Sequence, residues 1–378
     1  MKKHNVAIIF LLITVFLLSS CSFTEGSNLP KDETIGIVMP SKTLDRWDRD
    51  ASYLQEKFEG QGYTVDVAFS DNSSEQQIMA IQKMIDADID VLIIAAVDGQ
   101  ALVDVLENAK AKSITVIAYD RLIMNTDAVS YYVTFDNYLV GKLQGNYIVE
   151  NLKLDENSDQ HYTMEIFAGD QADNNALYFY NGAMSVLEPY ISSGNIEIIS
   201  GQQSFADTST DKWLTEIAEE RMLNILQTYY SDGTSLDIAL CSNDSTARGV
   251  TNAIESLSPD GSDFPIMTGQ DGDEANLKNI LDGKQSMTVF KEVSNEAAVT
   301  LNLVIFLLNG EIPNKALISS SGWSFGCSFD TTTYDNGKLV VPSYLITPEV
   351  VTADNYKKLL VKRGYFVIDD EGYLQSNY

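Results

Sequence analysis

Charged and amide side chains recur directly after the apolar runs that predict strands in this chain. Asp120 and Arg121 follow a run that ends at Tyr119, and Asn243 lies just beyond a run that ends at Cys241. Carboxylates accept hydrogen bonds from hydroxyl groups, Arg and Lys donate to them, and planar amides do both. Because such groups also neutralise one another, they suit a neutral polyhydroxylated ligand better than a charged one. The candidate binding residues of this kind are Arg46, Asp120, Arg121, Asp173, Asn175, Asn243, Asp271 and Lys291.

Two tryptophans extend this candidate set. Trp47 directly follows Arg46, and Trp213 follows Asp211 and Lys212; either ring could stack on the apolar face of a sugar ring. The alternative role for a single tryptophan is packing in the core. The alternative for each polar residue, taken alone, is a solvated loop position or a helix cap. The recurrence of these residues after successive strands favours one shared site, because ligands of open parallel sheets bind beyond the carboxyl ends of the strands.

The elements that must position these residues are short apolar runs that alternate with amphipathic stretches. Continuous Val/Ile runs between helices are typical of a parallel sheet buried on both faces. In the first half, we predict strands at 35–40, 64–69, 91–96, 115–119 and 131–135, with helices at 44–60, 75–87 and 99–111. In the second half, we predict strands at 162–168, 196–200, 236–241, 264–268 and 286–290, with helices at 174–188, 211–229, 245–257 and 273–282. The pattern predicts an α/β chain of two doubly wound lobes, after which a helix at 295–308 and a strand at 338–346 recross between them.

The amino terminus has the features of a secretion signal that ends on a cysteine. Lys2 and Lys3 precede an apolar run over 6–18 that is too short to span a bilayer. The ending Leu18-Ser19-Ser20-Cys21 resembles the lipoprotein box of bacteria, in which the cysteine is acylated; a plain secreted protein is the alternative. We expect a signal peptide over 1–20, lipidation of Cys21, a polar tether over 21–33, and anchoring on the extracytoplasmic face of the cell membrane.

Composition argues against several other partners and sites. The formal net charge of −29 repels nucleic acid and anionic lipid, and no DNA-binding headpiece precedes the two predicted lobes. Cys241 and Cys327 are too few for a disulfide scaffold, and the sequence leaves their pairing open. With His4 and His161 as the only histidines, we expect no catalytic residue, no metal and no cofactor.

Two short motifs suggest other activities, and their context does not support them. Residues 322–326 read G-x-S-x-G, as in the nucleophile elbow of hydrolases, but no histidine follows His161. Asp207, Ser209 and Asp211 alternate as in a calcium loop, without its central glycine and closing glutamate. A glycosidase would need two carboxylates at a defined separation, which the sequence alone does not set.

A series of short motifs resembles the xylose-binding and multiple-sugar-binding proteins of bacterial ABC transporters. The motifs are Met39 to Lys42 with Asp45-Arg46-Trp47, Ala118 to Ile123, Thr134 to Asn137, Asp173 to Ala176, Ser242 to Asp244, Gly269 to Asp271, Thr288 to Lys291 and Val341 to Leu345. Each motif is short, and their common order over residues 34 to 365 carries the resemblance. The segment 202–212 departs from the xylose-binding pattern and leaves the identity of the sugar open, and the loop at 319–329 also departs.

The resemblance implies a type I periplasmic-binding-protein fold, in which two Rossmann-like lobes close on a pyranose by hinge motion. Three crossover strands are expected near 134–136, 290–292 and 340–344. The first lobe would comprise 34–134 plus 292–342, and the second lobe 135–291 plus 343–378. By the same resemblance, the eight polar candidates contact the sugar and Trp213 stacks on it, with Trp47 beside Arg46.

We therefore expect a sugar-binding lipoprotein that catalyses no reaction and acts as a monomer. Its ligand would be a monosaccharide such as xylose or glucose, and its partners the permease subunits of an ABC transporter. A rival role needs the same fold and site: the sugar-bound form could be presented to a membrane histidine kinase or chemoreceptor. The two roles differ in the membrane partner, which the chain does not reveal.

Overall fold

The computed structural model describes residues 32–42, 45–157, 159–257 and 264–377. The predicted signal peptide, Cys21 and most of the predicted tether lie outside these residues. Within the described part of the chain, no helix is both long enough and apolar enough to cross a bilayer.

Strands and helices alternate along most of the described chain. The strands are β1 (Thr34–Met39), β2 (Thr64–Phe69), β3 (Val91–Ile94), β4 (Thr115–Tyr119), β5 (Val129–Phe135), β6 (Tyr162–Phe167), β7 (Ile196–Glu197), β8 (Ile238–Cys241), β9 (Ile266–Met267), β10 (Gln270–Asp271), β11 (Thr288–Phe290), β12 (Cys327–Asp330), β13 (Ser343–Ile346), β14 (Glu349–Val351), β15 (Phe366–Ile368) and β16 (Leu374–Ser376). The α-helices are α1 (Asp45–Gly60), α2 (Ser74–Asp86), α3 (Val103–Ala111), α4 (Asn137–Leu152), α5 (Asn174–Ser193), α6 (Phe205–Thr208), α7 (Thr215–Tyr229), α8 (Asp244–Leu257), α9 (Glu274–Leu281), α10 (Val293–Leu308) and α11 (Lys315–Ser321). A 3-10 turn at Asp211–Trp213 and a π-helical turn at Lys357–Val361 complete the set.

The first lobe is a seven-stranded sheet in the order β12-β13-β5-β4-β3-β1-β2. Its pairings are parallel except that of β12 with β13, which is antiparallel. Helices cover both faces of the sheet, and successive residues of a strand point to opposite faces. Ile37 therefore joins the core under α1 and α10, and Val38 joins the core under α2 and α3. This arrangement is the doubly wound lobe that the apolar runs predict.

Two sheets of the second lobe meet along β9, and β15 and β16 form a separate antiparallel pair. Strands β7-β6-β8-β9 pair in parallel, and β10-β11-β14 form a second sheet in which β14 is antiparallel. The Met267 carbonyl of β9 accepts the backbone N–H groups of Ser286 and Met287, which brings the start of β11 alongside β9. Helices α4 and α5 contribute to one core of this lobe, and α7 and α8 contribute to the other.

The chain passes between these sheets at 135–137, 290–293 and 346–349. The sequence places the first two passages near 134–136 and 290–292. The third comes later than the expected 340–344, and assigning 343–346 to the second lobe is incorrect, because β13 pairs in parallel with β5 in the first sheet. The strand predicted at 338–346 is shorter in the structure, where β13 covers Ser343–Ile346. The end of the expected loop at 319–329 forms β12, an antiparallel edge strand.

Candidate functional site

One cavity between the two lobes brings together all ten predicted binding residues. The space among its lining side chains is about 470 Å³, with open solvent at its mouth included. The first lobe contributes residues at the start of α1 and after β4, and the second lobe contributes residues that follow β6, β8 and β11 or lie on β10. The lining residues are Arg46, Trp47, Asp120, Arg121, Asp173, Asn175, Phe179, Trp213, Asn243, Ser245, Gln270, Asp271, Asp273 and Lys291.

Arg46 is the centre of a buried ionic network at one wall of the cavity. Its Nη2 lies 2.6 Å from Oδ2 of Asp120 and 3.0 Å from Oε2 of Glu296. Its Nη1 lies 3.2 Å from Oδ1 of Asp271, and its Nε lies 3.2 Å from Oδ2 of Asp50. The planar guanidinium can serve four carboxyl groups at once because its donors point in fixed, divergent directions.

Two further cations contact the carboxylates of the cavity. Nζ of Lys291 lies 3.0 Å from Oδ1 of Asp271 and 3.7 Å from Oδ2 of Asp120, and Nε of Arg121 lies 3.0 Å from Oδ2 of Asp173. Burial by itself would raise the pKa of Asp120, but the charges of Arg46, Lys291 and Arg121 outweigh burial and lower that pKa. Asp120 is therefore a carboxylate at neutral pH, and it can accept a hydrogen bond from a ligand hydroxyl.

Strained backbone positions several of these side chains. Asp120, Trp213 and Asp271 have φ values of +57°, +60° and +99°, in a region that non-glycine residues rarely adopt. At Asp120, the N–H of Arg121 donates to the Tyr119 carbonyl at 2.6 Å, so the chain turns sharply at the end of β4. Such strain persists only where the surroundings enforce it, and it is concentrated at functional sites.

Trp213 is held at the cavity by contacts from three directions. Its ring packs against the Cα of Gly169, where a Cβ would lie 1.9 Å from Cη2 of the indole. Its ring meets the ring of Phe179 edge to face, at 6.2 Å between centroids. Its carbonyl accepts the Ser245 hydroxyl at 2.7 Å, and Ser245 in turn accepts the side-chain amide of Asn243 at 2.9 Å.

Trp47 belongs to the core as well as to the cavity. It packs in the apolar cluster under α1 and α10, and only 3% of its surface is exposed. The guanidinium carbons of Arg46 and Arg121 lie 5.0 Å and 5.1 Å from the centre of its ring, within the range of cation–π attraction. Trp47 therefore packs in the core, as the alternative interpretation expects, and it also lines the cavity.

Three buried polar atoms of the lining residues have neither a hydrogen-bond partner nor an ion-pair partner among the described residues. They are Nε1 of Trp47, Nε1 of Trp213 and Oε1 of Gln270. Because buried polar groups in native proteins are nearly always paired, two orphan donors and one orphan acceptor at one cavity indicate a polar ligand that supplies their partners.

Several residues of the site were not among the sequence candidates. Asp50 and Glu296 are fully buried behind Arg46; Asp50 follows Arg46 by one helical turn, and Glu296 is the one acidic residue of the apolar helix α10. Asp244 also supports the site, since its Oδ2 accepts the N–H groups of Gly272 and Asp273, directly after Asp271. The sequence feature that could have identified Glu296 is an acidic residue within an otherwise apolar helix.

The remaining candidate motifs lie away from this cavity. Ser324 of the G-x-S-x-G motif is exposed and precedes strand β12, whereas a nucleophile elbow leads from a strand into a helix. Cys241 is buried, Cys327 is partly buried, and both are free thiols. Within the described ranges, no group of three or more His, Cys, Asp and Glu residues is arranged to hold a metal ion.

Comparison with known proteins places the chain in a family. Residues 35–312 match the family model described as a periplasmic binding protein domain. The multiple sugar-binding periplasmic receptor ChvE of Rhizobium radiobacter is 40% identical over 338 residues, which cover 89% of this chain and 91% of that protein. The D-xylose-binding periplasmic protein of Escherichia coli (strain K12) is 33% identical over 354 residues, with 93% and 97% covered.

A solved structure agrees with these matches. The crystal structure of an ABC transporter solute binding protein from Clostridium phytofermentans with bound β-D-glucose matches with a TM-score of 0.82 and 47% identity, covering 89% of this chain and 98% of that chain. The type I fold predicted from the sequence motifs is confirmed. The chain belongs to the family of periplasmic binding proteins.

Proposed function

We propose that this protein binds a monosaccharide between its two lobes. The observation that carries the proposal is the cavity itself, where carboxylates, amides and cations from both lobes surround orphan donors and an orphan acceptor. A sugar hydroxyl both donates and accepts, so a pyranose could satisfy these groups together. The relatives named above as binding D-xylose, multiple sugars or β-D-glucose support this ligand class.

Selectivity would come from hydrogen bonds to charged groups. Each such bond contributes roughly 1.5–3 kcal/mol, and a sugar that lacks one hydroxyl would leave a buried charge without its partner. The ten candidates Arg46, Trp47, Asp120, Arg121, Asp173, Asn175, Trp213, Asn243, Asp271 and Lys291 would contact the sugar, with Trp213 stacking on the ring. We propose D-xylose and D-glucose as the first ligands to test.

Isothermal titration calorimetry tests the binding proposal. The protein from Ser22 onward, which contains every described residue, is unfolded and refolded to remove endogenous sugar and is titrated with a panel of aldopentoses and aldohexoses. One-to-one binding at micromolar concentration or tighter supports the proposal, and the absence of heat with every sugar contradicts it. Recovery of the unchanged sugar, checked by NMR after incubation, tests the proposed lack of catalysis.

We further propose that the protein is a lipoprotein, anchored through Cys21, that delivers its sugar to an ABC permease. Replacing Cys21 with Ala should release the protein from the membrane fraction, and retention there would contradict the anchor. Deleting the gene should abolish uptake of the labelled sugar. Undiminished uptake with loss of sugar-induced transcription would instead support the sensor role.

A further inference from the structure

The main-chain carbonyl of Asp120 joins the two lobes. It accepts the Tyr132 hydroxyl at 2.6 Å, the Thr134 hydroxyl at 2.9 Å and the Asn175 side-chain amide at 2.5 Å. Tyr132 and Thr134 lie on β5 in the first lobe, and Asn175 lies in the first turn of α5 in the second lobe. A single carbonyl therefore collects hydrogen bonds from both sides of the cavity.

The Tyr132 hydroxyl shares its single proton between the Asp120 carbonyl and the side chain of Asn175. It lies 2.9 Å from Oδ1 of Asn175, whose Nδ2 donates to the same Asp120 carbonyl. Tyr132 is fully buried, and its ring is fixed by an edge-to-face contact with Tyr334 at 5.1 Å between centroids. The hydroxyl also accepts the Asn137 side-chain amide at 3.4 Å, and the fixed ring holds it between these partners.

The same hydroxyl supports the strained turn that aims the Asp120 carboxylate. Asp120 has a φ of +57°, and its N–H donates to the Val133 carbonyl at 2.8 Å. Hydrogen bonds from β5 thus hold the turn at both its N–H and its carbonyl. On the other side of the turn, the carboxylate contacts Arg46 and Lys291.

Resting on the proposed function, we infer that Tyr132 is a positioning residue for sugar binding that acts without touching the sugar. It is absent from the residues that line the cavity. When the lobes separate, the contacts of Asn175 with Tyr132 and Asp120 must break, whereas the bond between Tyr132 and Asp120 remains within the first lobe. Tyr132 therefore stabilises the closed arrangement through Asn175, and its loss accelerates sugar release more than it slows sugar capture.

Stopped-flow tryptophan fluorescence with D-xylose and D-glucose tests this inference, because Trp47 and Trp213 line the cavity. Tyr132→Phe should raise the dissociation rate constant about fivefold, the effect of one lost hydrogen bond, and leave the association rate constant within twofold. Tyr344→Phe is the matched control: Tyr344 is a fully buried tyrosine of the same sheet, and its hydroxyl donates to the Asn314 carbonyl at 2.9 Å. That control should leave both rate constants unchanged.

A double-mutant cycle with Asn175→Ser separates coupling from general loosening of the fold. If Tyr132 acts through Asn175, the double variant releases sugar no faster than Asn175→Ser alone, whereas multiplicative effects overturn the inference. Equal rate constants for Tyr132→Phe and Tyr344→Phe overturn it as well, while sugar binding by the wild type still supports the proposed function. Failure of the wild type to bind either sugar in calorimetry refutes the proposed function and this inference together.

Discussion

Arg46 of the first lobe and Asp271 of the second lobe are in direct contact across the cavity, with 3.2 Å between Nη1 and Oδ1. Arg46 also contacts Asp120 of its own lobe, and Lys291 also contacts Asp271. Charges from both lobes are therefore already paired with one another when the lobes are closed. A ligand in this cavity meets oriented charges rather than free ones, which limits the cost of burying them.

Replacing Arg46 with Lys tests the role of the guanidinium fork. A single ammonium cannot reach all four carboxyl groups that Arg46 contacts, so at least one buried carboxyl group loses its donor. We expect sugar affinity to fall more than tenfold and the free energy of unfolding to fall by about 1–3 kcal/mol, as measured by calorimetry and urea titration. Arg363→Lys is the control, since Arg363 pairs with Glu349 at the exposed surface. Equal affinities for Arg46→Lys and the wild type would remove Arg46 from the site.

Replacing Asp120 with Asn tests the charged acceptor and spares the strained backbone, because Asn tolerates the left-handed region better than Ala. We expect sugar affinity to fall at least tenfold, consistent with about 1.5–3 kcal/mol for one hydrogen bond to a charged group. The melting temperature of the unliganded protein should change little, because Arg46 retains Asp50 and Glu296 of its own lobe as partners. Asp127→Asn, at an exposed first-lobe aspartate paired with Lys110, should change neither quantity. Normal sugar binding by Asp120→Asn would contradict the assignment.

Much of the fold could be predicted because its signals are local. The Val/Ile runs of β1, β3 and β4 are buried on both faces, so their apolar residues are continuous in the sequence. The strand at Cys327–Asp330 has no such run; it pairs at the edge of the sheet, and its residues are partly buried except Ser328, which is exposed. The position of the third passage also escaped prediction, because pairing of β13 with β5 depends on residues about 210 positions apart.

The site was predictable to the extent that its residues follow strands. Most of the ten candidates lie shortly after strands, and the topology brings these strand ends to one cavity, to which the 3-10 turn at Asp211–Trp213 adds Trp213. Asp50 and Glu296 were missed because only the folded chain places them against Arg46. The left-handed backbone at Trp213 was also missed, because no glycine or asparagine marks that position.

Replacing Gly169 with Ala tests the placement of the Trp213 ring. The new Cβ would lie 1.9 Å from Cη2 of the indole, so the ring must leave its present position. We expect about a tenfold loss of sugar affinity, a shifted emission spectrum of the tryptophans, and a loss of roughly 1–3 kcal/mol of stability from overpacking. Gly60→Ala, at the end of α1 where nothing lies within 4 Å of the added carbon, is the control. Wild-type affinity in Gly169→Ala would show that the ring position does not matter for binding.

The buried carboxyl of Glu296 predicts a stability that depends on pH. Burial raises the pKa of Glu296 well above its usual value, and the charges of Asp120 and Asp50 raise it further, although Arg46 and Lys291 oppose them. Between the ordinary glutamate pKa of about 4.5 and this raised pKa, the folded chain holds a proton that the unfolded chain has lost. The stabilisation from Glu296 is therefore complete below about pH 4.5 and is lost as the pH rises to the raised pKa, by up to about 1.4 kcal/mol per pH unit.

Urea titrations between pH 5 and pH 8 measure this effect. The wild type should lose free energy of unfolding as the pH rises, and Glu296→Gln, which cannot ionise, should lose less over the same interval. Glu107→Gln, at an exposed position on α3, should follow the wild type. The comparison isolates Glu296 because the other buried carboxyls with raised pKa values, such as Asp50 and Asp173, are present in all three proteins. Identical pH slopes for Glu296→Gln and the wild type would mean that Glu296 is already ionised behind Arg46 across this range.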